Sequence, residues 1–471
     1  MKKLWMLIVL VMVFTSGCSS NESETALNPD KPITIRVWHY YNGSTQEIFE
    51  QLVNEFNDTV GMEEGIVIES QSQGSVDQLA TAIFEAASEN IGSQPLPEIF
   101  ATYADNAFRI RDLVDLVSLD KLFTESELSL YRQEFLDEGY FITDGMSYIM
   151  PVAKSFENLY ISKTDWEPFA AAHNLSTNDL STWEGINEVA ALYHDVTGKA
   201  FFGLDSSANF FIVGTKQLGQ DIYQYNDDGT ATFNLSKENA RRFWDCFAVP
   251  YLKGNYAKTG RFSSDDAKTG KILAYTGSTA GAAYFPSVVS LSETESYDIE
   301  PLVLPYPYFE NGDKVVIQQG AGMCVVNTDD AHNSGAKLFL EWFTRPEQNL
   351  RFSVETGYFP VQESALEKTA ILKELQKENN PLPAVVGAIE ASNIMLNEYQ
   401  LHNMKAFEGS FETRVLMDKY IYAYMNQVLE NLALKADDAS SYKDALNDAV
   451  SEKAFNQWYD DLVKQVNNII Q

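Results

Sequence analysis

Near the start of the chain a strand-type period of two gives way to a helical period and returns, twice over, and that alternation leaves few folds open. Ile33-Thr-Ile-Arg-Val-Trp38 alternates apolar and polar positions and is rich in β-branched residues, the pattern of a strand. Behind Ser44-Thr-Gln-Glu47, which has capping-box spacing, Ile48, Phe49, Leu52, Val53 and Phe56 fall on one helical face. Ile66-Val-Ile-Glu69 gives a second strand, and Glu98-Ile-Phe-Ala-Thr-Tyr103 a third after another helical stretch. Strands separated by helices imply βαβ units and a mostly parallel sheet. Ligands of such sheets sit past the carboxyl ends of the strands, so His39 to Gly43 and Tyr103 to Asn106 should face a cleft.

The middle of the chain repeats this grammar. Met150-Pro-Val-Ala-Lys-Ser155 leads into the extended Leu159-Tyr-Ile161, and Ser181-Thr-Trp-Glu184 is a second capping box, opening a helix over Gly185 to His194. Asn226-Asp-Asp-Gly229 reads as a turn between short strands, without the remaining ligand spacing of a calcium loop. Tyr297 to Leu304 and Val315 to Val326 read as extended. Ala336 to Val354 and most of Lys405 to Ile470 read as helical, with Leu416, Tyr420, Met425 and Leu429 as a core stripe.

At 471 residues and 45% hydrophobic, the chain should form about two to three globular lobes. Its formal charge of −33 repels phosphate backbones, which excludes nucleic-acid binding as the main function and disfavours lying flat on an anionic membrane. Residues 1–17 read as a signal peptide: Lys2 and Lys3, the apolar run Leu4 to Phe14, then Thr15, Ser16 and Gly17 ahead of Cys18. The apolar run is too short to span a bilayer. Residues 18–31 are polar and read as a flexible tether. Cys246 and Cys324 allow either one bridge or two buried thiols, the latter favoured.

Catalytic signatures are not evident. The five His residues are scattered, with no His-Glu-x-x-His, nucleophile elbow, phosphate loop or Gly-x-Gly-x-x-Gly after the first strand, so no metal and no cofactor is expected. Carboxylates are too numerous for any pair to signal a glycosidase, and Asp227-Asp228 and Asp265-Asp266 read as solvated turns; an exported carbohydrate-active hydrolase stays only as the alternative. Aromatic residues instead gather near expected strand ends: Trp38, Tyr40, Tyr41, Tyr103, Phe156, Tyr284 and Tyr358. Each alone is as well explained by core packing, but as a set they suit a sugar, whose apolar C–H faces stack on rings.

Val37-Trp-His-Tyr40 with the helix ending at Phe56-Asn57, Ser181-Thr-Trp-Glu184, Leu338-Phe-Leu-Glu-Trp-Phe-Thr-Arg-Pro-Glu347 and Thr356-Gly-Tyr-Phe-Pro360 resemble the extracellular solute-binding proteins (family 1) that feed ABC importers, in the group carrying sugars and glycerol phosphate. Cys18 after small residues likewise resembles a bacterial lipobox, although Thr15 stands where an aliphatic residue is preferred. The resemblance implies an α/β chain with the two-lobed periplasmic-binding-protein fold, type II-like. Each lobe would be a mostly parallel sheet flanked by helices, with a ligand cleft between them. It implies a first lobe of residues 32–150 plus 307–355 and a second of 151–306 plus 356–471, with a lipid on Cys18 holding the exported monomer at the membrane. The partners implied are a carbohydrate ligand and the permease subunits of an importer. Ligand contacts are implied at Ser155, Ser278, Gly320, Tyr358 and Arg414, beside Tyr40, Tyr41 and Tyr103 at the strand ends. Arg414 could equally be a surface salt-bridge residue. Glycerol-phosphate binders carry Tyr at the position of Val76, Glu at that of Ala104 or Asp105, and Trp around Ala208 to Phe210, so the ligand expectation stays at sugar, oligosaccharide or polyol phosphate.

Overall fold

A computed structural model describes residues 27–377, 381–435 and 438–470. The leader, Cys18 and the tether up to residue 26 lie outside them. The first unit follows the expected grammar: β1 (Ile33–His39), α1 (Gly43–Phe56), β2 (Ile66–Ser72), α2 (Val76–Ala87), β3 (Ile99–Thr102) and α3 (Ala104–Ile110). The second comprises β4 (Glu157–Ser162), α4 (Trp183–Thr197), β5 (Phe202–Leu204), α5 (Ser207–Gln217), β6 (Ala274–Ser278) and β7 (Pro301–Pro305). The chain then gives β8 (Gly322–Val325), α6 (Asp330–Thr344), α7 (Pro346–Thr356), α8 (Pro383–Glu398), α9 (Ser410–Lys435) and α10 (Glu452–Ile470).

Two four-stranded sheets result, ordered β8-β3-β1-β2 and β7-β4-β6-β5. In the first, β1 lies parallel to β2 and β3, with Val37 opposite Ser70 and Ile99. The second departs from the expected mostly parallel pattern: β4 runs antiparallel to both β7 and β6, and only β5 and β6 are parallel. The reason is the route of the chain. A strand that enters a sheet through the connection between the two units starts at the edge facing the other sheet, and so opposes strands that run toward that edge. β8, re-entering the first sheet, is antiparallel to β3 for the same reason.

The units are joined by stretches lying side by side: Met150 N–H donates to Met323 O, Ser155 N–H to Gln319 O and Lys154 N–H to Phe359 O, each at 2.9 Å. Beneath them sits a buried ion pair. Lys154 Nζ contacts Glu138 Oε2 and donates to Gly320 O at 3.0 Å, and Gln318 Nε2 donates to the same Glu138 oxygen at 3.1 Å. The lysine is 1% and the glutamate 7% exposed. α1 and α6 pack behind the first sheet and α7 on α1, whereas α8 covers β7 and β4 and α9 packs on α5. The short helices Glu363–Leu366 and Lys368–Leu375 stay on α7.

Local expectations shift by about a residue. Ser44 and Glu47 form no capping box: α1 already begins at Gly43, so Ser44 is inside the helix, where its backbone is no longer extended. Nor does Ser181 cap α4, because Thr182 Oγ1 accepts from Gly185 N–H at 3.1 Å while Glu184 turns to Arg242 and to Glu310 N–H. The stretch from Ala336 to Val354 divides at Arg345, since Pro346 disfavours helical backbone in the residue before it and itself opens α7. On α9 the buried stripe is Thr413, Met417, Tyr420, Ile421 and Met425, with Leu416 and Leu429 half-buried. Cys246 and Cys324 are buried, free thiols, pushed up in pKa by burial. Among the described residues, no helix is long and apolar enough to cross a membrane.

His39, at the end of β1, is fully buried, and burial lowers its pKa to about 4. A neutral folded imidazole that protonates near 6.5 once unfolded contributes stability that is complete above pH 6.5 and fades as pH falls toward 4. Glu157 works oppositely: burial raises it to about 7, so its favourable contribution is present below the ordinary carboxylate range and is lost as pH rises toward 7. Urea unfolding at pH 7 and pH 5 should therefore show a smaller loss on acidification for His39→Phe than for the wild type; equal losses would mean that His39 does not titrate on unfolding.

Candidate functional site

The carboxyl ends of β1 and β3 open onto a cavity of about 200 Å³, closed on the far side by α9 and the start of α5. β1 ends at His39, and the next side chains part company. Tyr40 lines the cavity, whereas Tyr41 packs at 2% exposure among His39, Phe49 and Phe352, with ring centroids 5.2, 5.2 and 5.3 Å away. Where β3 ends and α3 begins, Tyr103, Asp105 and Asn106 all face the cavity. From the other side come Phe411, Arg414, Val415 and Asp418, at the i, i+3, i+4, i+7 spacing that aligns side chains on one face of α9.

Three phenols are linked at the floor. Tyr40 Oη lies 3.1 Å from Tyr358 Oη and accepts from Ala321 N–H at 3.4 Å, and Tyr103 stands beside Tyr40. Burial lifts all three well above the usual phenol pKa, so they remain neutral hydroxyls that both donate and accept. The carboxyl of Asp105 is raised by burial, opposed by the charge of Arg414. Arg414 Nη2 donates to Asn209 Oδ1 at 2.7 Å. The Asn106 side chain is 4% exposed and its Oδ1 has no partner, an acceptor left for something entering the cavity.

Tyr40, Tyr103 and Arg414 thus come together around the cavity, with Tyr358 one hydrogen bond behind Tyr40. Gly320 sits beside Ala321 with φ +90°, and a Cβ there would lie 2.3 Å from Ala153 O, so this glycine is required by close backbone approach. Ser155 is buried in the inter-sheet connection, and Ser278 Oγ caps the short helix that follows it by accepting from Ala280 N–H at 3.2 Å; neither lines the cavity. Of the wider aromatic set, Trp38 and Phe156 are core residues, while Tyr284 is 55% exposed. Phe411, Asp418 and Asn106 were not singled out individually, although the spacing around Arg414 and the end of β3 carried the signal for them.

One edge of the site is bridged between the units. The Arg109 guanidinium of α3 lies between Phe84 of α2 and Phe411 of α9, 4.2 Å from each ring centroid, and 3.8 Å from Glu412. Arg111 pairs with Glu408 at 3.2 Å nearby. Among the described residues no group of three His, Cys, Asp or Glu side chains is placed to hold a metal ion. The cavity offers ring faces, neutral hydroxyls, carboxylate and amide acceptors and one guanidinium, the equipment for holding a hydroxylated molecule.

Comparison with known proteins agrees with this architecture. A family model described as bacterial extracellular solute-binding protein matches residues 51–380. The cyclic alpha-maltosyl-1,6-maltose binding protein from Arthrobacter globiformis superposes with a TM-score of 0.63 at 21% identity, covering 92% of this chain and 100% of that one. UgpB from Mycobacterium tuberculosis, solved with glycerophosphocholine, gives 0.62 at 18% identity, covering 92% and 99%. The maltose/maltodextrin-binding domain MalE from Bdellovibrio bacteriovorus, bound to maltotriose, gives 0.61 at 13%, covering 90% and 100%. No protein of curated function matches the sequence.

Proposed function

The chain belongs to the bacterial extracellular solute-binding proteins, and from that premise we propose that it captures a carbohydrate outside the cell membrane and delivers it to the permease subunits of an ABC importer. The observation that carries this reading is the cavity between the two sheets, where the Tyr40, Tyr103 and Phe411 rings stand beside Asp105, Asn106 and Arg414. The cyclic alpha-maltosyl-1,6-maltose binding protein and the maltotriose-bound MalE domain among its structural neighbours point the same way. In this reading the protein does no chemistry. Ligand contacts from both units favour the closed arrangement, and the importer reads that shape.

Charge narrows the ligand. Asp77, Asp105 and Asp418 line the cavity against the single lining cation Arg414, so a phosphate ester would bring further negative charge to a wall that already carries an excess of it. A neutral sugar meets no such opposition. The volume of about 200 Å³ is below the roughly 300 Å³ at which pockets take drug-sized ligands, which suits a mono- or disaccharide unit. Lipidation of Cys18 would hold the monomer near its importer and raise its local concentration there. In this reading the first lobe comprises residues 32–150 plus 307–355 and the second 151–306 plus 356–471, with Glu363–Leu366 and Lys368–Leu375 assigned instead to the first because they pack on α7.

The test is a thermal-shift screen of the chain against mono- and oligosaccharides and glycerol phosphate. A ligand at about a hundred times its dissociation constant adds about 2.7 kcal/mol of stability. A shift with one class of neutral sugar, without consumption of the sugar, is the expected result; turnover, or no shift with any of them, would overturn the reading. The Arg109 bridge should hold the closed form. Arg109→Ala is expected to speed ligand release about 3- to 30-fold in stopped-flow measurements, the worth of losing a cation between two rings. An unchanged rate would mean that the bridge forms independently of closure.

A further inference from the structure

Arg414 enters the cavity from α9, but what aims it lies behind the wall. Its Nη2 donates to Asn209 Oδ1 at 2.7 Å, and Asn209 Nδ2 donates to Glu157 Oε1 at 2.8 Å. Asn209 is 0% and Glu157 2% exposed, and neither lines the cavity. The three side chains belong to α9, α5 and β4, so the relay fastens the last long helix of the cleft to the second sheet.

The direction of the relay follows from its chemistry. An amide has one donor end and one acceptor end, a guanidinium only donors, and a carboxyl group, protonated or not, keeps at least one acceptor oxygen. With Glu157 on one side and Arg414 on the other, Asn209 satisfies both in a single orientation; turned over, it would set N–H against N–H and oxygen against oxygen. The guanidinium is rigid and planar, with its five donors in a fixed fork, so holding one edge from behind fixes where the remaining N–H groups point.

We propose that Asn209 and Glu157 are positioning residues for ligand recognition: without touching the ligand, they hold the Arg414 guanidinium so that its free N–H groups meet the oxygens of a sugar in the cavity. The proposal rests on the reading of this cavity as the ligand site. It explains why a polar amide and a carboxylate are buried side by side at the start of the second unit, where burial without a task would cost stability. It also assigns the specificity of the cleft partly to residues that no inspection of its lining would select.

Two measurements on the full chain test it. In the first, the Arg414 side-chain N–H groups are followed by nitrogen-labelled NMR without ligand; their exchange with water should speed by at least about tenfold in Asn209→Leu, reflecting loss of a hydrogen bond to a charged group. Unchanged exchange would overturn the proposal. In the second, binding of maltose, maltotriose, mannotriose and glycerol 3-phosphate is measured by calorimetry for the wild type, Asn209→Leu, Glu157→Gln, Arg414→Ala and the Asn209→Leu/Arg414→Ala pair. For a probe the wild type takes, Asn209→Leu should weaken binding at least about tenfold, and Glu157→Gln, which keeps an acceptor oxygen, less than about threefold. In the Arg414→Ala background Asn209→Leu should add less than about threefold, because the group it positions is gone. Equal losses in both backgrounds would show a general structural role and overturn the proposal. A wild type that takes none of the probes would instead count against the cavity as a sugar site, while the exchange measurement would still decide whether Asn209 holds the guanidinium.

Discussion

Lys154→Met should lower the free energy of unfolding by about 3–5 kcal/mol, because it strips the partner from Glu138 in a place water does not reach. The pair lies under the connections between the two units, and the lysine also donates to Gly320 O, so its loss leaves the Glu138 charge with only the neutral donor Gln318 and removes a donor from Gly320 O. Burial lowers the pKa of Lys154 overall, and the charge of Glu138 opposes that fall. The pair as such need not stabilise the fold, since desolvating two charges offsets most of their attraction. Lys154→Met combined with Glu138→Leu should accordingly regain most of what the single change loses. Urea unfolding of the wild type, the single and the double variant decides the matter. A double variant as unstable as the single one would mean that the loss comes from packing rather than from an orphaned carboxylate.

Arg414→Ala should weaken sugar binding by at least about thirtyfold in calorimetric titration. Arg414 is itself half-buried, but its partner Asn209 is fully buried, and truncating one member of such a hydrogen-bonded charge arrangement costs about 2–5 kcal/mol, much of it from the groups left behind. Here those groups are Asp105, whose carboxyl would lose its opposing cation, and Asn209, whose oxygen would lose its donor. Arg414→Lys should recover only part of the affinity, since an ammonium is a point donor and cannot serve Asn209 and a ligand in one plane. Retained affinity in Arg414→Ala would return the residue to the alternative of a charged helix-surface residue.

Much of the first unit was legible because its strands are short, β-branched and separated by helices with one apolar face. That pattern placed β1 and β3 to within a residue at each end and found the start of β2, which runs three residues further than expected, to Ser72. Helix starts were less legible: Ser44 and Thr45 lie inside α1, which already begins at Gly43, while of the neighbours Ser181 and Thr182 only Thr182 keeps extended backbone and caps α4, a choice that the path of the chain makes. Strand direction in the second sheet was hidden because it depends on where the chain enters, not on what β4 is made of. In the site, Tyr40 and Tyr41 are neighbours of the same type with opposite fates, one facing the cavity and one the core, and nothing local separates them. Arg414 was reached through family resemblance alone. Asn209 and Glu157 gave no signal, since a polar residue inside a helix or strand is ordinarily read as solvent-facing, and their burial exists only once α5, α9 and β4 are assembled.

α9 carries Phe411, Arg414, Val415 and Asp418 along the face that lines the cavity, and Met417, Ile421 and Met425 in the core behind it. Under the proposed reading of the cavity, ligand preference and scaffold are carried by the same 26 residues in separate registers. A change in the first register should then alter which sugar is held while leaving the core packing of the second untouched.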